Sequence, residues 1–119
     1  MPFDHEKMRV YQLSVAFYAQ MGDLMDRLPP KQEHVKDQLR RAALSIVLNI
    51  AEGAGKFHPK DKARCYLSSR GSAAECSALM DVIAAAKLLP ESETAPLKHD
   101  LDQMGSMLTP LLKAVGART

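Results

Sequence analysis

Apolar residues recur along most of this chain at alternating spacings of three and four, the period of an α-helix; no stretch shows the sustained apolar-polar alternation of a strand. Val10, Leu13, Phe17, Leu24 and Leu28 form one stripe, widened by Tyr11, Val15, Tyr18 and Met25. From about Lys31 to Glu52 a second stripe runs through Leu39, Ala43, Ile46 and Ile50, joined by Leu44, Val47 and Leu48. A third, from about Pro59 to Leu89, aligns Tyr66, Ala73, Cys76, Met80 and Ile83. The fourth is the most regular: Leu97, Leu101, Met104, Leu108, Leu111 and Val115 keep the four-three spacing of a coiled-coil seam.

Breakers separate these stretches at Pro29-Pro30, across Gly53 to Pro59, and at Pro90 with Pro96. The pattern predicts an all-α fold, four helices joined by short connections in an antiparallel up-down-up-down bundle, one domain over residues 1–119. Gly53 is placed to close the second helix, and Pro59 to open the third with Asp61 in its first turn. Pro110 removes one backbone hydrogen bond inside the fourth helix, which predicts a kink or loosened last turns. Between Ala42 and Ala51 the second helix is apolar on faces that cannot all point into one bundle. The surplus predicts burial against a second copy of the chain.

Composition narrows the picture. Only 5% of the 119 residues are aromatic, and the seven Met outnumber the three Phe and three Tyr combined, so the core is aliphatic. Asp4, His5, Glu6 and Lys7 precede any apolar run, unlike a secretory signal, and Ser45, Asn49 and Glu52 interrupt the longest apolar stretch. These features predict a cytoplasmic protein with no membrane partner. Cys65 and Cys76 stand 11 positions apart on one expected helix, a rise of about 16 Å, too far for an intrachain disulfide and consistent with reduced, packed thiols.

Two polar patterns fall where a bundle should be dry. Ser45, Asn49 and Glu52 on the second helix and Ser68, Ser72 and Glu75 on the third share the same four-three spacing. With the two helices antiparallel, Ser45 and Asn49 come level with Ser72 and Ser68, and Arg41 with Glu75, while Arg70 is a further base for a carboxylate. A hydrogen-bonded network that fixes helix register is the expected role of Arg41, Ser45, Asn49, Glu52, Arg70, Ser72 and Glu75. Catalytic readings find little to stand on. No Glu is followed by His at di-iron spacing, and His5, His34, His58 and His99 form no ligand set with one another or with the cysteines. No serine lies in a nucleophile motif. Gly53-Ala54-Gly55-Lys56 lacks the first glycine, the trailing hydroxyl and the preceding strand of a phosphate loop. Neither a catalytic residue, a metal nor a cofactor is expected.

The net charge of +2 conceals a local excess, since residues 31–60 carry six bases against three acids. Lys56, His58, Lys60, Lys62 and Arg64 surround one turn that holds a single acid, Asp61, and Lys36, Arg40 and Arg41 add charge along the second helix. Such a cluster, repeated by oligomerisation, is a candidate surface for RNA or DNA, with Lys36, Arg40, Lys56, Lys60, Lys62 and Arg64 as its contacts.

The run from Leu39 to Gly53, with its S-I-x-x-N-I-A-E-G core, together with Arg70-Gly71-Ser72-Ala73-Ala74-Glu75 and the opening Phe3-Asp4-His5-Glu6-Lys7, resembles the bacterial four-helix bundle proteins of the 23S rRNA intervening-sequence family. The resemblance covers nearly the whole chain. It implies a cytoplasmic, ring-like homopentamer without enzymatic activity. Its relatives include retroelement accessory proteins, which bind nucleic acid and a reverse transcriptase through a basic surface. Ser45, Asn49, Glu52, Arg70, Ser72 and Glu75 occupy the family's motif positions. The chain departs from the pattern in opening its third helix with His58-Pro59-Lys60-Asp61 in place of a Ser or Thr cap, and in its modest basic balance. Two functions follow as expectations: a non-catalytic, nucleic-acid-binding oligomer, or a protein-interaction scaffold with no nucleic-acid role.

Overall fold

The computed structural model describes residues 3–116; residues 1, 2 and 117–119, the ends of the expected domain, lie outside them. Among the described residues there are four long helices and no strand: α1 (Arg9–Arg27), α2 (Glu33–Gly55), α3 (Pro59–Ala85) and α4 (Glu91–Ala114). A short 3-10 turn over Asp4–Lys7 precedes them and packs against α1 and α2. It is held by Gln12 Nε2 donating to the Glu6 carbonyl and by the Tyr11 ring set edgewise on His5.

Each helix boundary has a local cause. α1 stops because Leu28, ahead of Pro29, takes the extended backbone a pre-proline residue prefers. α3 opens on Pro59, whose missing N–H has no partner in a first turn, after an extended His58. α2 starts two residues after Lys31 and continues past Gly53 to Gly55, so Gly53 is an interior residue and not a cap. α3 ends four residues before Leu89. Lys87 takes a left-handed φ of 58°, its N–H bonds to the Ala84 carbonyl, and that of Leu88 bonds back to Ile83, closing a Schellman turn.

Pro96 of α4 corrects one expectation. Pro90 caps the helix, but Pro96 lies inside it, and the helix continues past Pro110 to Ala114. The carbonyls left without an amide partner, those of Ser92 and Ser106, belong to exposed residues, so water can satisfy them. Full burial of Leu108 and Leu112 holds the last turns together.

The core gathers the predicted stripes of all four helices, with two shifts. Met21 and Ser14 are buried on α1 while Val15 and Tyr18 are exposed, and Leu112 replaces Leu111 at the centre of the final turn of α4. The second shift reflects the mismatch between a 3.5-residue seam and a 3.6-residue helix. α1 packs on α2, α2 on α3, α3 on α4 and α4 on α1, and among the described residues no close backbone approach crosses either diagonal. These contacts fit a four-helix bundle. No helix among the described residues is long and apolar enough to cross a membrane.

Candidate functional site

The most extensive contact is between α2 and α3, and it carries the polar residues. Ser69, fully buried, donates its hydroxyl to the Ile46 carbonyl at 2.9 Å. Ser72 Oγ donates to Ser45 Oγ at 2.8 Å, and Asn49 Nδ2 donates to the same Ser45 oxygen at 3.0 Å and to the Ser45 carbonyl at 2.9 Å. Among the described residues no buried side-chain nitrogen or oxygen lacks a partner. The seam thus brings together Ser45, Asn49 and Ser72 from the sequence pattern.

Other members of that pattern lie outside it. Arg41 and Glu75 are exposed, and no ion pair joins them among the described residues. Glu52 is exposed and pairs with Lys56 along α2 at 3.4 Å. Arg70 lines the α3–α4 groove instead of the α2–α3 contact. Ser68 is exposed; its neighbour Ser69 does the buried bonding. The signal for Ser69 was in the periodicity, because it falls three after Tyr66 and four before Ala73 on the stripe, whereas Ser68 falls off it.

One close approach fixes the end of this contact. A Cβ on Gly53 would lie 2.8 Å from Tyr66 Cε1 and 3.0 Å from Cys65 Cβ, so glycine is required for α3 to come this near. Lys62 reaches across from α3 and donates Nζ to the carbonyls of Gly53 at 3.1 Å and Ala54 at 2.9 Å. It therefore caps the negative end of α2. Burial pushes the thiols of Cys65 and Cys76 up, the latter to about 12, and raises the Tyr66 phenol. Both cysteines are unpaired and protonated near neutral pH.

Most of the expected basic surface has partners within the chain. Lys36 pairs with Glu33 at 3.5 Å, Arg40 with Asp37 at 2.9 Å, and Arg64 with Asp61 at 3.2 Å, each one turn along its own helix. With Lys56 on Glu52 and Lys62 capping α2, Lys60 alone of the six has neither an ion pair nor a side-chain hydrogen bond among the described residues. At the same turn Phe57 is 90% exposed, touching the edge of His58 at a centroid distance of 5.4 Å.

The outer face of α2 is apolar at its centre. Leu44 is 41% and Leu48 55% exposed, one turn apart, while Ile46, Val47 and Ile50 are buried. No group of three or more His, Cys, Asp or Glu side chains is placed to hold a metal ion among the described residues.

The family model for the 23S rRNA-intervening sequence protein matches residues 6–110. The chain belongs to this family. The matched segment contains the whole polar seam, the α2–α3 turn and the exposed leucines. A solved structure from Bacteroides thetaiotaomicron, a protein of unknown function from the S23 ribosomal protein family, is similar in fold, with a TM-score of 0.81 and 18% identity over 87% of this chain and 98% of that one. Comparison with curated proteins gave no match. For a member of this family, the seam is a joint between α2 and α3 whose hydroxyls are spent on one another and on a backbone carbonyl.

Proposed function

We propose that the chain is a non-catalytic, antiparallel up-down-up-down bundle that assembles with copies of itself through the outward face of α2, acting as an oligomeric scaffold in the cytoplasm. The antiparallel reading is supported by the pairing of Ser45 with Ser72, Ile46 with Ser69 and Gly53 with Tyr66, whose numbers rise on one helix as they fall on the other. Assembly is supported above all by Leu44 and Leu48, two large aliphatic side chains in mid-helix with roughly half their surface in water. Burying such a pair contributes about 2–3 kcal/mol per subunit contact. A homopentamer is the assembly the family resemblance implies. The serines of the seam serve register, since their partners are hydroxyls and carbonyls and not a base that could activate them.

Sedimentation velocity tests this reading. The native chain should sediment as a multiple of 13.1 kDa, and the Leu44→Glu/Leu48→Glu variant as a single helical chain. A chain still monomeric at about 50 μM, where any contact tighter than about −6 kcal/mol would hold, overturns it.

A second reading has its own observation. Phe57, 90% exposed beside His58 and the unpaired Lys60, is suited to stack a base while the cations meet phosphate. If the assembly binds RNA or DNA there, Phe57→Ala lowers affinity at every salt concentration, while Lys60→Glu lowers it and flattens the salt dependence. Titrations in which both variants bind like the native chain remove nucleic acid from this turn.

A further inference from the structure

A groove of about 680 Å³ opens between α3 and α4, on the side of the molecule opposite the α1–α2 contact. Its floor is small and apolar, with Ala73, Ala74 and Ala78 on α3 facing Leu101 and Gly105 on α4. Gly105 has no left-handed backbone, and a Cβ added there would meet nothing within 4 Å. Packing within the chain therefore supplies no reason for a residue that weakens a helix interior by about 1 kcal/mol relative to alanine. Gly22 and Gly71, inside α1 and α3, are equally open; Gly105 differs in lining the groove.

The charges at the rim point to what the groove receives. Asp81 and Asp102 line the groove beside Lys98, which hydrogen bonds to Asp81 and has its pKa raised by it, and Arg70 lines it further along α3. Asp102 has no ion pair among the described residues, and neither has Arg41, which precedes the exposed Leu44 of α2 by less than one turn. The α2 ridge thus offers an unpaired base, Arg41, and the groove an unpaired acid, Asp102.

We infer that Leu44 and Leu48 of one copy seat in the α3–α4 groove of the next, with Arg41 on Asp102. This rests on the reading that copies assemble through α2, and it names the surface that receives it. The register follows from bonds inside one chain. Ser45 is level with Ser72, and Lys98 with Asp81, which puts Asp102 level with Ser77. Rotation about an axis along the helices carries no shift along that axis. Leu44 therefore arrives beside Ala73, Arg41 beside Asp102, and Leu48 beside Arg70, whose aliphatic stem covers it. Ridge and groove are different surfaces, so the contact runs head to tail, and a pure rotation that divides the full turn closes it as a ring.

The experiment is sedimentation velocity on the full chain in ~0.15 M salt, where exposed charges beyond about 8 Å are screened. Gly105→Gln projects into the groove from a position where an added Cβ meets nothing within 4 Å, and circular dichroism should show helicity retained. Its assembly should weaken at least tenfold. Arg41→Glu and Asp102→Arg should each dissociate the ring, and the two together should restore it. Dissociation by Leu44→Glu with Gly105→Gln still assembled, and no rescue by the charge swap, overturns the groove while the α2 contact stands. A native chain that sediments at 13.1 kDa overturns the α2 reading and the groove with it.

Discussion

Gly53 shows how one residue's role changes between sequence and structure. A glycine before Gly55-Lys56 reads as a helix end, yet the helix runs through it and its missing side chain is what admits Tyr66. That role depends on a partner 13 positions away, which no local pattern reveals. Gly53→Ala gains about 1 kcal/mol of helix propensity but drives a methyl into a buried ring that has no room to swing, at about 1–3 kcal/mol. Net destabilisation of about 1 kcal/mol is expected, read as a fall of about 4 °C in thermal melts followed by circular dichroism. Cys76 gives a second residue-scale test. Its folded-state pKa of about 12 lies above the ordinary thiol value of 9.0, so above pH 9 the unfolded chain loses a proton that the folded one keeps. Stability should therefore be unaffected by this group below pH 9 and fall as pH rises towards 12, by at most about 1.4 kcal/mol per pH unit. Urea denaturation between pH 7 and 11 should show a shallower alkaline decline in Cys76→Ala than in the native chain; equal slopes would show that this thiol does not titrate on unfolding.

The number, type and approximate span of the helices were legible because a 3.6-residue period over 19 or more residues has no competing interpretation. Ends were harder, since they depend on turn geometry and not on periodicity. Pro96 reads as a breaker, yet it lies early in α4 with the freed carbonyl of Ser92 facing water. The close of α3 was invisible because its left-handed residue is a lysine where glycine is usual. A side chain in that conformation costs about 1–2 kcal/mol, offset in part by the entropy glycine would lose on folding. Lys87→Gly should therefore raise stability by about 0.5–1 kcal/mol, seen as a higher urea midpoint with an unchanged slope. A lower midpoint would mean that the lysine stem contributes packing that outweighs its backbone strain. The candidate site was legible only in outline for a related reason. Spacing can place Ser45, Asn49 and Ser72 on facing stripes, but whether Lys62 reaches phosphate or the carbonyls of Gly53 and Ala54 is decided by a length of side chain across a turn.

For the whole molecule the deciding quantity is apolar surface that one chain cannot cover. Phe17, Ile46, Ile83 and Leu108, one from each helix, are fully buried, so the fold does not need Leu44 and Leu48 for its own core. A chain that stayed single would gain solubility from polar residues there at no expense of packing. If copies bind one another only when folded, mass action ties stability to concentration: each tenfold rise in protein should stabilise the assembled state by up to about 1.4 kcal/mol per subunit. The melting temperature of the native chain should therefore climb by a few degrees between about 2 and 200 μM. In Leu44→Glu/Leu48→Glu it should be flat across that range, near the native value extrapolated to dilution, because two exposed positions carry little of the monomer's stability. A variant that melts far below that limit would place these leucines in the core of the single chain, and their role in assembly would have to be abandoned.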